Sequence, residues 1–172
     1  KEFLREKEKL KEVTKKLEIE EKVIENNLSN TSSNHEKDSY IRAQLVYVGN
    51  KKLKDIKKIK DKPYFARIDF TAKGEKLEKL YIGKLSILDS SSQEPIIIDW
   101  RAPISNLYYD GRVGKSSYDS PSGKIEGDIS LKRQYFITNQ ILEKYIDIDM
   151  KGSDELLQEA LSENADDRLK NI

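Results

Sequence analysis

Chemistry by a side-chain nucleophile needs a base within reach. In this chain of 172 residues the only imidazole, His35, lies in the polar run Asn30-Thr31-Ser32-Ser33-Asn34-His35. No serine-histidine-aspartate site is expected from that placement. There is no cysteine, which removes thiol nucleophiles, disulfides and cysteine-ligated zinc or iron–sulfur centres, and one histidine cannot build a histidine metal site. Paired carboxylates occur at Asp147/Asp149 and at Asp166/Asp167. Two apart on a strand, Asp147 and Asp149 would share a face that is ordinarily solvated, so they read as surface charge and not as a glycosidase pair. Neither GxxxxGK[ST] nor GxGxxG occurs. The nearest string, Gly111-Arg112-Val113-Gly114-Lys115-Ser116, lacks two spacer residues, lies between strand-like runs and reads as a loop. The expectation is no catalytic residue, no metal site and no cofactor within this chain.

Binding chemistry has better candidates. Seven lysines fall between Lys51 and Lys62, and Lys52, Lys54, Lys57 and Lys58 among them could grip phosphates or steer a charged partner. No arginine or aromatic residue is interleaved there to read bases. The bland alternative places Leu53, Ile56 and Ile59 against another helix, with the lysines as the solvated side. Trp100 and the run Leu107-Tyr108-Tyr109 could offer a stacking surface, but large aromatics in a small β domain are expected in the core. Asp99 and Arg101, two apart on an extended strand that Pro103 ends, should share one side. They are expected to tie neighbouring loops or a following domain, while Trp100 anchors the core from the other side.

The elements that must position these groups follow from periodicity. Phe3, Leu10, Leu17 and Ile24 recur every seven residues, with Leu4, Val13, Val23 and Leu28 beside them, which gives one apolar stripe on a helix roughly 40 Å long. Such a stripe needs a partner. The polar run Asn26 to Asn34 should stop the helix, because its side chains compete for backbone hydrogen bonds. A second helix starting near Asp38 or Ser39 carries Ile41, Leu45, Val48, Ile56 and Ile59 on one face, with Leu53 alongside. An antiparallel hairpin with its stripes packed together and a polar tip follows.

After Pro63 the period becomes two. Strand-like runs are Pro63 to Phe70, Leu77 to Leu88, Ile96 to Trp100, Ile104 to Tyr109, Lys124 to Gly127, Ile129 to Thr138 and Ile141 to Ile148, with turn clusters between them. Gly152-Ser153-Asp154-Glu155 then opens a C-terminal helix or helices. The fold class is α+β: an N-terminal helical coiled-coil arm (1–62), a small antiparallel β-sheet or barrel domain (63–150) and a helical segment (151–172).

Charge divides the same way. Lys and Arg total 32 against 31 Asp and Glu, net +1. Residues 1–62 carry 17 basic and 12 acidic side chains (net +5), leaving 15 and 19 (net −4) for the rest. An electrostatic partner must therefore meet a local patch. No apolar run approaches the roughly 20 residues needed to cross a bilayer, and the first residues hold no hydrophobic signal core. A cytoplasmic protein without a membrane partner is expected.

Four strings in order carry a resemblance: Pro63-Tyr64-Phe65-Ala66-Arg67-Ile68-Asp69-Phe70, Tyr81-Ile82-Gly83-Lys84, Asp99-Trp100-Arg101-Ala102-Pro103-Ile104-Ser105 and Leu131-Lys132-Arg133-Gln134-Tyr135. With Asp154-Glu155-Leu156-Leu157-Gln158 and Asn164-Ala165-Asp166 after them, they resemble the N-terminal part of HelD-type helicases, of the UvrD/Rep-like superfamily 1 group also called DNA helicase IV. The family motif falls on Asp99, Trp100, Arg101 and Pro103, while the first 62 residues match only in kind, as a charged coiled-coil arm.

The resemblance implies a parent that is an ATP-driven helicase or translocase using ATP and magnesium, with its nucleotide loop in a motor domain beyond this segment. It also implies binding to RNA polymerase, release of the polymerase from nucleic acid, and an arm that enters the secondary channel. Partner contacts would then fall at or near the tip, on Asn30, Asn34, Glu36 and Asp38. Family arms often have acidic tips, and this one is rich in Asn and Ser. The rival reading is a nucleic-acid-binding accessory module of a DNA repair helicase, with DNA on the Lys52, Lys54, Lys57 and Lys58 face.

Overall fold

A computed structural model of the chain describes residues 1–33 and 38–148. The expected C-terminal helix, and Asn34, His35 and Glu36 of the tip, lie outside the described residues. Two helices come first, α1 (Glu2–Ser33) and α2 (Ser39–Ile59). Seven strands follow: β1 (Ala66–Ala72), β2 (Leu77–Gly83), β3 (Ile87–Leu88), β4 (Pro95–Asp99), β5 (Gly114–Ser120), β6 (Gly123–Thr138) and β7 (Ile141–Asp147). A 3-10 turn (Pro103–Ser105) runs into a short helix, α3 (Asn106–Tyr109), between β4 and β5. The class is α+β, as the sequence implied.

The helices form the expected antiparallel hairpin: Leu28 of α1 meets Gly49 of α2, and Glu21 pairs with Lys60 just past its end. Leu10, Val13, Leu17 and Ile24 are buried, and so are Ile56 and Ile59. Two details differ from the sequence reading. First, α1 runs on through Asn26 to Ser33. Thr31 returns its hydroxyl to the carbonyl of Asn27 at 2.7 Å, and Leu28 packs on the core, so tertiary contact outweighs weak local propensity. Second, Ile41, Leu45 and Val48 do not face α1; all three are exposed. The two helices approach each other at Gly49, where a Cβ would lie 2.7 Å from Leu28 Cδ2. That contact turns the distal apolar row of α2 away from its partner.

The sheet order is β3-β4-β2-β1-β6-β5, with β7 also paired to β6. All pairings are antiparallel except β2 with β4. Central β1 is buried on both sides because each face has its own cover. Ala66, Ile68 and Phe70 point into a cluster with Leu80, Ile82, Leu107 and Ile129. The opposite cluster joins Tyr64, Tyr81, Tyr135, Ile97 and Ile137 to Leu10, Leu17 and Ile56 of the hairpin, so helices and sheet share a core. Gly83 is required where strand meets arm, since a Cβ there would sit 2.4 Å from the carbonyl oxygen of Pro63.

Three further expectations are corrected. Ile104 to Tyr109 is helical and not a strand. Pro103 supplies the fixed φ suited to a first helical position, and Ser105 Oγ donates to Asp99 O at 2.7 Å. Gly114 to Ser116 open β5 and are not loop; opposite charges face across that hairpin, Lys115 with Asp128 and Asp119 with Lys124. Lys124 to Gly127 and Ile129 to Thr138 form one strand of 16 residues.

Candidate partner-binding arm and its ionic root

The buried stripe of α1 runs Glu6, Leu10, Val13, Leu17, Glu20, Ile24. Its spacing of alternating fours and threes belongs to a single helical seam. Two of the six positions are carboxylates, and each is buried because the sheet presents a partner. Glu6 Oε1 accepts from Nη1 of Arg67 and, at 2.8 Å, from Nη1 of Arg133. Arg67 is gripped a second time by Asp69, through Nε at 2.8 Å and Nη2 at 2.9 Å. Arg133 donates to both oxygens of Asp147 and, at 3.1 Å, to Glu2. Further along, Glu20 accepts from the backbone N–H and hydroxyl of Ser90 at 3.0 and 2.8 Å. One face of β1 and β6 thus offers two guanidinium groups, and α1 brings the carboxylates that make their burial tolerable.

The electrostatics agree with the geometry. Arg67 and Arg133 are held more firmly protonated than usual: burial is the largest single influence and acts against the charge, but the bonds to Asp69 and to Asp147 together with the other negative and polar groups around each guanidinium outweigh it. Three tyrosines roof the cluster, Tyr64 edge-on to Tyr81 (4.9 Å) and to Tyr135 (5.1 Å). Burial pushes all three hydroxyls up, Tyr81 to about 12, with the Glu6 carboxylate adding to the effect on each. A cleft of about 720 Å³ opens beside the root, lined by charged groups including Lys9, Glu12, Lys16 and Lys79. Among the described residues no group of three or more His, Asp or Glu side chains is placed to hold a metal ion.

The family-motif residues form a corner elsewhere. Asp99 ends β4 and receives three bonds from Arg101: from its N–H and Nε to Oδ1 (2.8 and 3.0 Å) and from Nη2 to Oδ2 (2.8 Å). The carboxyl is held below its usual range chiefly by that guanidinium. Asp99 and Arg101 therefore pair with each other, while the main chain of Asp99 is bonded to Ser86 and Ser105. Trp100 is not the core anchor; it is 45% exposed and meets Tyr109 edge-on at 6.4 Å. The chain turns at Trp100, whose N–H reaches Gly83 O at 2.9 Å, so its ring leaves the alternation a strand would impose. Tyr64 takes the central position instead.

On the arm, Asp38 caps α2 by accepting from Tyr40 N–H at 2.9 Å. Asn30 lies in the last turns of α1. Lys52, Lys54, Lys57 and Lys58 are all exposed along α2 while Ile56 and Ile59 are buried. Lys115 stands opposite Asp128 in the β5–β6 hairpin. Sequence reasoning missed the ionic root entirely. The alternation of Arg67 and Asp69 with apolar neighbours is what a solvated strand face would also show, so no sequence signal marked it.

No described helix is long and apolar enough to cross a membrane. The structure is thus an α+β domain in which a helical arm is fixed to a mostly antiparallel sheet through buried charge. The family model of the DNA helicase IV HelD N-terminal domain matches residues 3–164, nearly the whole chain, and the chain belongs to that family. No curated protein matches it.

Proposed function

We propose that this chain is the polymerase-engaging region of a HelD-type ATP-dependent helicase or translocase. Its arm enters the secondary channel of RNA polymerase and helps to release or recycle the enzyme from nucleic acid in the cytoplasm. The observation that carries the reading is the buried ionic root of the arm. Beyond Glu20, Glu21 pairs with Lys60 and Leu28 meets Gly49 of α2, and about 20 Å of helix extends from Glu20 to Ser33. A lever clamped at its base by Glu6, Arg67 and Arg133 transmits force or position to whatever its far end touches.

In this reading the chain's own residues do no catalysis, and ATP and Mg²⁺ are used by a helicase motor domain. Asn30, Asn34, Glu36 and Asp38 are the tip candidates, and the lysines of α2 steer the approach in a manner that weakens with salt. The second reading, a DNA-binding accessory module of a repair helicase, draws on the exposure of Lys52, Lys54, Lys57 and Lys58 along one helix. Binding of the chain to core RNA polymerase and to single- and double-stranded DNA, each at two salt concentrations, separates them. The first reading expects polymerase binding that a deletion of Asn30 to Glu36 impairs. DNA binding that falls steeply with salt and is lost on replacing the four lysines, with polymerase binding indifferent to the deletion, would overturn it.

A further inference from the structure

The corner that ends β4 carries an aromatic ladder whose outer end is uncovered. Phe65, Tyr108, Tyr109 and Trp100 meet edge-on in that order, with ring centroids 6.3, 5.3 and 6.4 Å apart. The inner rungs are fixed. Phe65 and Tyr108 pack on the cluster around Leu107 and Ile129, and the Lys132 amine lies 5.4 Å from the centroid of the Tyr108 ring while donating to Gly111 O at 2.8 Å. The outer rungs are open: Tyr109 is 48% and Trp100 45% exposed. An edge-on contact uses at most one face of either ring, so a flat π system can stack on what is left. Rings held from behind and open in front need little further ordering to bind.

Cations flank the open rings. Lys84 follows Gly83, whose carbonyl takes the Trp100 N–H, and Arg112 lies three residues beyond Tyr109. Both are exposed, and among the described residues neither side chain forms an ion pair or hydrogen bond. The neighbouring acids are already answered, Asp99 by Arg101 and Asp110 by Lys132. We infer that this corner is a stacking site for single-stranded nucleic acid: a base lies on the Trp100 and Tyr109 rings, and Lys84 and Arg112 meet the phosphates on either side. Other occupants fit less well. A standard protein interface covers about 800 Å² on each partner, whereas the exposed apolar side chains here are two rings among charged neighbours. A second copy of the chain, joined through the same patch, would set Lys84 and Arg112 against their like. Duplex DNA keeps its bases within the stack, out of reach of the rings. The site lies on the sheet domain, apart from the arm and from the lysine face of α2, so the inference does not depend on what the arm meets.

Trp100 is the only tryptophan, so its emission reports on this corner alone. The full chain is titrated with a labelled oligothymidylate about 12 nucleotides long, and tryptophan emission and label anisotropy are followed together. The stacking site predicts saturable quenching that coincides with the rise in anisotropy. Tyr109→Ala should bind about fivefold or more weakly, the loss of one stacked base contact, while Tyr109→Phe, which keeps a ring, stays within about twofold of the unsubstituted chain. Lys84→Ala with Arg112→Ala should make the salt dependence shallower. Replacing Lys52, Lys54, Lys57 and Lys58 together by alanine should leave the quenching in place, and melting temperatures confirm that each variant is folded. No saturable binding by the unsubstituted chain would overturn the inference. So would binding with the emission unchanged or with quenching lost in the four-lysine variant, each of which puts the strand elsewhere on the chain. Equal quenching by a duplex of the same length would overturn it too, as would quenching that follows chain concentration with no strand added, which makes a second copy the occupant. Each of these failures leaves the proposed role of the arm standing.

Discussion

Replacing Glu6 by alanine tests whether buried charge fixes the arm. Glu6 is 2% exposed and accepts from two arginines that are themselves 6% and 5% exposed. Removing one member of a buried pair costs about 3–5 kcal/mol, because the remaining charge loses its compensation. Here Arg67 keeps Asp69 and Arg133 keeps Asp147, which places the expected loss near the lower end, about 3 kcal/mol. For a chain of this size each kcal/mol moves the midpoint by about 2–4 °C, so a drop of about 6–12 °C is expected in calorimetry. Glu6→Gln retains an acceptor but not the charge and should lose less. Glu8→Ala, on the exposed side of the same helix, should change little. A Glu6→Ala midpoint within about 2 °C of the parent would refute the reasoning, since a well-compensated pair could not be so cheaply opened.

Three other outcomes follow from the same structure. Trp100→Ala should cost only about 0.5–1.5 kcal/mol, the worth of its edge-on contact with Tyr109, and a loss of about 3–5 kcal/mol by denaturant titration would restore it to the core. Gly49→Val drives a side chain into Leu28 at the closest approach of the helices, so helicity measured by circular dichroism should hold while the distance between spin labels on α1 and the sheet stays fixed and that between α1 and distal α2 lengthens. Alkaline pH should destabilise the fold. Tyr64, Tyr81 and Tyr135 stay protonated in the native state above their ordinary value of 10.0, whereas the unfolded chain releases those protons. The unfolded state then binds fewer protons, and stability falls as pH rises, by up to about 1.4 kcal/mol per unit for each tyrosine. Lys132, pushed down by burial, acts with the opposite sign and offsets part of the loss. Tyr135→Phe should shallow the decline in melting temperature above pH 10; an unchanged slope would contradict the assignment.

Periodicity made the hairpin, the strand-rich second part and the α+β class legible, because seven-residue and two-residue repeats report directly on which face is covered. It could not distinguish a charged residue on a solvated face from one buried against an opposite charge. Arg67 and Asp69 alternate with apolar neighbours as surface residues would, and only the folding back of Glu6, 61 residues away from Arg67, buries them. Trp100 misled for a related reason: residue size suggested core, while the turn after Asp99, set by hydrogen bonds to Arg101 and Ser105, carries the ring outward. The strand β5 was illegible because Gly114 to Ser120 has little strand propensity and is held by its pairing with β6. Of the candidate site, the exposure of the lysine face was foreseen; the outward turn of Ile41, Leu45 and Val48 was not, since a single-stripe pattern does not say which half of a stripe finds its partner.

The central claim is that the arm, and not the sheet, meets RNA polymerase. Photo-crosslinking addresses it most directly, with a benzophenone amino acid placed at Tyr47 on the arm or at Ile141 on the sheet, both exposed, and the chain mixed with core polymerase. Crosslinks to polymerase from position 47 and none from position 141 are predicted. Crosslinks from position 141 alone, or from position 47 only to added nucleic acid, would contradict the account.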